Sequence, residues 1–82
     1  LMLAAYHGHA ELVGELVARG ADVDLANDRG QSPLAGVAFK GFTEVARVLL
    51  EAGADPDLGT PSALETAKYF ERAEIVALIE SR

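Results

Sequence analysis

Eighty-two residues make one domain at most, near the lower size at which a single core supports itself. Half of them are hydrophobic, which excludes a disordered chain, yet the apolar runs are short and broken by charge or glycine, which excludes a bilayer-spanning segment. Thirteen acidic side chains against seven basic ones give a formal charge of −6 with no basic cluster to offset it, which disfavours nucleic acid and anionic membrane as partners, so neither is expected, and the absence of cysteine removes disulfide and thiol chemistry.

Residues 1–7 are short and helix-compatible, and Gly8-His9 breaks them. Residues 11–19 form a second predicted helix, with Leu12, Val13, Leu16 and Val17 on one apolar stripe. Gly20 stops it, because glycine enters the left-handed conformation cheaply. A polar stretch follows, and Asp28-Arg29-Gly30 reads as a turn tip. Ser32-Pro33 then starts a new helix as N-cap and first helical residue. Residues 34–40 and 44–52 repeat the helix pair, with Gly41 as the break, Gly53 as the stop and Val45, Ala46, Leu49 and Leu50 as the stripe. The third unit comes three residues early: Leu64, Glu74, Ile75, Val76 and Ile79 sit 30 positions after Leu34, Glu44, Val45, Ala46 and Leu49. Thr60-Pro61 or Ser62 can cap its first helix.

The first two units are one pattern written twice. Leu1, Ala5, Gly8, Glu11, Leu16, Gly20, Ala21, Asp22 and Asp24 recur 33 residues later, nine identities in 24 ungapped pairs. A period of that length means a stack of small units, each burying its apolar face on the next.

These residues resemble the ankyrin repeat. Its Thr-Pro-Leu-His start, Ala-Ala, Gly-His turn, Glu-Val-Val helix, Leu-Leu stripe and closing Gly-Ala-Asp-Val-Asn have counterparts in Ser32-Pro33-Leu34, Ala4-Ala5, Gly8-His9, Glu11-Leu12-Val13, Leu49-Leu50 and Gly20-Ala21-Asp22-Val23-Asp24. The run Gly53-Ala54-Asp55-Pro56-Asp57 and the Ala/Arg/Gly-rich filling look like bacterial members. The resemblance covers essentially the whole chain. It implies an all-α solenoid of stacked helix–turn–helix pairs with hairpin-like finger loops. Residues 1–82 would be one ankyrin repeat domain: 1–26 a repeat lacking its finger, 27–59 a full repeat and 60–82 a C-terminal cap. The chain begins inside a repeat, which reads as a fragment of a longer protein.

The departures from the pattern are informative. Met2, Ala35 and Glu65 replace the motif histidine, which removes its hydrogen bonds. Glu71 replaces the turn glycine of the third unit, Lys68 stands where Ala5 and Ala38 stand, and Glu80 where Val17 and Leu50 stand. Unpaired buried charge is costly, so this side of the third unit is expected in water.

The resemblance implies binding on the concave side and the finger tips. Tyr6, Phe39 and Tyr69 recur at one position, and their rings are expected to form a column at the helix spacing of about 10 Å. His7, Lys40 and Phe70 would flank it. The rings either anchor a partner, as exposed aromatics do at interfaces, or pack on the neighbouring helix. In the loop tip Asp28, Arg29 and Gln31 either confer polar specificity or simply face water as turn residues, with Arg29 the better candidate for contact.

Catalytic and metal chemistry find no set of residues. His7 and His9 lack a third ligand nearby in sequence. Asp22/Asp24 and Asp55/Asp57 recur with the repeat and lack the glycine and glutamate of a calcium loop, so they are expected to hold backbone donors. No nucleophile–base pair can be assembled, and the glycines form no phosphate-binding run.

The expected function is therefore non-catalytic protein–protein binding, without cofactor or metal, to an unidentified partner protein. Alternatives are an in-cis regulatory domain of a larger enzyme or effector, a scaffold, and an enzyme in its own right. A cytoplasmic location fits the lack of cysteine, and a monomer is expected when an upstream repeat is present.

Overall fold

The computed structural model describes residues 5, 7–24, 30–59 and 61–81. Among them are five helices and no strand: α1 Ala10–Ala18, α2 Pro33–Lys40, α3 Thr43–Glu51, α4 Ala63–Tyr69 and α5 Ala73–Glu80. Tyr6, Asp28 and Arg29, singled out from the sequence, lie outside the described residues.

Local chemistry starts the inner helices. The Ser32 hydroxyl accepts the Ala35 amide at 3.1 Å, and Pro33 occupies the first turn, where a missing N–H costs nothing. At α4 the cap is Ser62, whose hydroxyl accepts the Glu65 amide while the Glu65 carboxylate accepts the Ser62 amide. Glu65 stands at the place of the absent motif histidine and supplies a hydrogen bond of its own there. Helices α1, α3 and α5 begin from tight turns without a side-chain cap, and Glu11, Glu44 and Glu74 complement their N-terminal dipoles.

The ends are closed by backbone. Ala21 donates to the Leu16 carbonyl and Ala54 to the Leu49 carbonyl, both at 3.0 Å, just past Gly20 and Gly53. The connection from α3 to α4 has 11 residues, 52–62, against 14 from α1 to α2, 19–32, as the change of phase requires.

Helices of seven to nine residues are too short to hold alone, so packing holds them. Helix α2 packs on α4 in an inner layer, and α1, α3 and α5 form an outer layer in that order. Each inner helix also packs on its own partner, α2 on α3 and α4 on α5. Val13, Leu34, Val37, Val45, Leu49 and Ile75 are fully buried between the layers. Each such side chain contributes about 1.5–3 kcal/mol on leaving water.

The loop carboxylates are structural. Asp22 accepts the Asp24 amide, Asp55 accepts the Asp57 amide, and Asp24 reaches the next loop to accept the Asp55 amide, each at 2.9 Å. Two successive loops are thereby joined through one carboxylate.

Candidate functional site

The inner helices end side by side, and each ends in aromatic residues. Phe39 lies in the last turn of α2, Tyr69 ends α4, and Phe70 is its C-cap. The Phe39 and Phe70 rings meet edge to face with centroids 5.0 Å apart, and Tyr69 meets Phe70 likewise at 4.9 Å. Pairs in this geometry contribute about 0.5–1.5 kcal/mol beyond burial. Even so, Tyr69 is 80% exposed, Phe39 47% and Phe70 40%. The three rings thus hold one another while keeping much of their surface in water.

This differs in one respect from the column expected from the repeat. Phe70, placed beside the column by sequence, is the central ring and touches both others. The Arg72 guanidinium fixes the arrangement from below, donating from Nη2 to the Phe39 carbonyl at 2.8 Å. Sequence reasoning passed over Arg72. Its signal was its place after the third turn, where His9 and Phe42 stand in the other units.

The remaining candidates are more dispersed. Lys40 follows Phe39 and is exposed. Gln31 precedes the N-cap of α2 and is half-buried, so the eight-residue helix separates it from the rings by about 12 Å. His7 is exposed in the turn before α1, its ring 6.2 Å from that of His9. The rings and the finger residue therefore lie at opposite ends of α2, and one ligand touching both must extend along the helix.

Several other charged side chains form pairs at the surface. Arg47 donates to Glu44 on the outer face of α3, and that hydrogen bond holds the Glu44 carboxyl below its usual range and raises the guanidinium. Lys68 and Glu80 lie 3.8 Å apart, both exposed, in agreement with a solvated side of the third unit. Among the described residues no group of three His, Cys, Asp or Glu side chains could hold a metal, and no helix is long and apolar enough to cross a membrane.

The family model for ankyrin repeats (3 copies) matches residues 1–81. The chain belongs to the ankyrin repeat family. It is 49% identical over 59 residues to an ankyrin repeat-containing protein of Treponema pallidum, covering 71% of this chain and 20% of that protein. It is 43% identical over 68 residues to ankyrin repeat and KH domain-containing protein 1 of Homo sapiens, covering 82% and 3%. With cyclin-dependent kinase 4 inhibitor B of Rattus norvegicus the identity is 38% over 64 residues, covering 78% and 48%. The chain thus spans a fifth or less of the first two relatives and about half of the third. Ankyrin repeats are a general protein-interaction module, and the all-α repeat architecture here is theirs.

Proposed function

We propose that this ankyrin repeat chain is a non-catalytic module that binds a partner protein through Phe39, Tyr69 and Phe70, together with Tyr6, His7 and Lys40. Asp28, Arg29 and Gln31 would read polar groups of the same partner from the finger. The observation that carries this reading is the three-ring cluster with Tyr69 80% exposed. Large rings kept in water by their neighbours offer contact area at little entropic cost, which is the property of interface hot spots. One relative is named an inhibitor of a kinase, and action on another protein is the kind of use inferred here.

The test compares affinity capture from native lysate by the intact protein and by a Tyr69→Ala, Phe70→Ala version of unchanged helicity. A protein retained by the first and lost by the second supports the aromatic site. Equal capture by both removes the rings from the site and leaves the finger. Capture by neither returns the in-cis regulatory alternative.

A further inference from the structure

The third turn keeps a charged residue that the fold does not use. Gly41 and Glu71 hold the same place in left-handed backbone, at φ of 77° and 57°. Glycine adopts that conformation freely, whereas a Cβ makes it strained. Glu71 is exposed, and among the described residues its carboxylate has no ion-pair partner to offset the strain.

Glu71 stands where two surface features meet. It directly follows Phe70, the ring that touches both Phe39 and Tyr69. It also lines an open cleft of about 300 Å³ between the second and third turns, with Gly41 and Thr43 on one side and Arg72 and Glu74 on the other. Cleft and rings share a wall, because the Arg72 guanidinium lies over Gly41 and donates to the Phe39 carbonyl.

The charges around this surface are unequally engaged. Lys68 pairs with Glu80, Arg72 is held by the Phe39 carbonyl, and Lys40 has a partner of its own. The Arg72 Nε is buried and so closed to a molecule in the cleft. Glu71 and Glu74 are both exposed, and neither is ion-paired among the described residues. Two carboxylates against one engaged guanidinium leave the cleft negative, on a chain of net charge −6. Beside it Tyr69 is 80% exposed, so much of its ring is open. An aromatic face and a carboxylate both attract a cation. Arginine suits this pair better than lysine, since its planar group stacks on a ring and offers a carboxylate a fork of donors.

We propose that the partner protein presents an arginine-bearing basic segment to the third turn. Its guanidinium enters the cleft beside Glu71 and Glu74, and an adjoining apolar side chain rests on Phe39, Phe70 and Tyr69. The inference rests on the aromatic site proposed above and gives the partner its chemistry. A second copy of this chain would bring a further −6 towards the two carboxylates, which opposes it as the occupant. An acidic segment would meet the same carboxylates and find the neighbouring cations already engaged.

The probes are two acetylated, amidated peptides, Gly-Leu-Arg-Gly-Arg-Leu-Gly and Gly-Leu-Glu-Gly-Glu-Leu-Gly, titrated into the isotope-labelled chain with amide shifts read by NMR. The arginine peptide is expected to shift the amides of Phe70, Glu71, Arg72 and Glu74 to saturation, and the glutamate peptide to leave them in place. Glu71→Gly decides the matter, because it relieves the backbone and removes the carboxylate together. Its Tm is expected to rise while its affinity for the arginine peptide falls about two- to fivefold, the worth of one exposed ion pair. Glu71→Asp keeps the charge and is expected to keep the binding. The proposal is overturned by tighter binding of the glutamate peptide, by shifts at Asp22, Asp24 and Asp55 in place of the third turn, or by unchanged affinity of Glu71→Gly. A dimer in sedimentation that Glu71→Gly strengthens overturns it equally, making a second copy the occupant. Lysate capture separates this failure from that of the aromatic site. A protein lost by Tyr69→Ala, Phe70→Ala but held undiminished by Glu71→Gly keeps the rings and overturns the arginine, whereas one held by both variants removes the rings themselves.

Discussion

Arg72 joins two repeats through the carbonyl of Phe39: the guanidinium of the third turn reaches back 33 residues to donate to the end of α2. The same group lies flat over Gly41, so one side chain covers a turn and holds the base of the ring cluster. Arg72→Ala is expected to cost about 1 kcal/mol of stability, the worth of an ordinary hydrogen bond, read by urea denaturation. Arg72→Lys should recover little, because an ammonium lacks the planar fork that both contacts use.

Gly41 and Glu71 stand at the same turn position with φ of 77° and 57°. Gly41→Ala places a Cβ in left-handed backbone and against the guanidinium, so a loss of about 1–2 kcal/mol is expected. Glu71→Gly removes that conformational penalty and is expected to gain up to about 1 kcal/mol. Opposite shifts in Tm of the two variants are the check.

Gly14 is a different case, a helical glycine in α1. A Cβ there meets only Val48 Cγ1, at an ordinary 3.9 Å. Gly14→Ala is therefore expected to stabilise the protein by about 0.5–1 kcal/mol, visible as a higher Tm at unchanged helicity.

Asp24 carries the link between successive loops. Asp24→Ala is expected to lose about 1 kcal/mol and to leave the Asp55 amide exchanging faster with solvent. Asp24→Asn keeps an acceptor oxygen and should retain most of both. Amide hydrogen exchange by NMR distinguishes the two variants.

Tyr69 at 80% exposure touches little besides Phe70. Tyr69→Ala is expected to change stability by less than about 0.5 kcal/mol while weakening partner capture, so folding and binding separate at this residue. A fall in both would mean that the ring serves packing.

The features legible in sequence were the local ones. Ser32, Pro33 and Gly41 act on their own turn, and the bounds of α1 and α3 fall one residue before those expected from composition and stripe. Recurrence of Asp22, Asp24, Asp55 and Asp57 told a structural role, because chemistry needed once is not repeated at every turn. What escaped depends on two repeats at once. Arg72 to Phe39 and Asp24 to Asp55 are contacts across the stack, fixed by how the helices seat. The centrality of Phe70 has the same origin, since adjacent residues at a helix end turn apart and only the packing of α4 on α2 decides which ring meets Phe39.

The layer order has a kinetic side. Helix α1 packs on α3, α3 on α5, and α2 on α4, so each contact closes a loop of only one repeat. Short loops are cheap to close, and a chain built from them folds quickly from any nucleus. Opening then proceeds from the ends rather than all at once. Helix α3 packs on both α1 and α5, whereas each of those has one neighbour in the outer layer, so amide protection should be highest in α3 and fall towards α1 and α5. Opening would then begin in the outer helices at either side, with α3 among the last parts to let go.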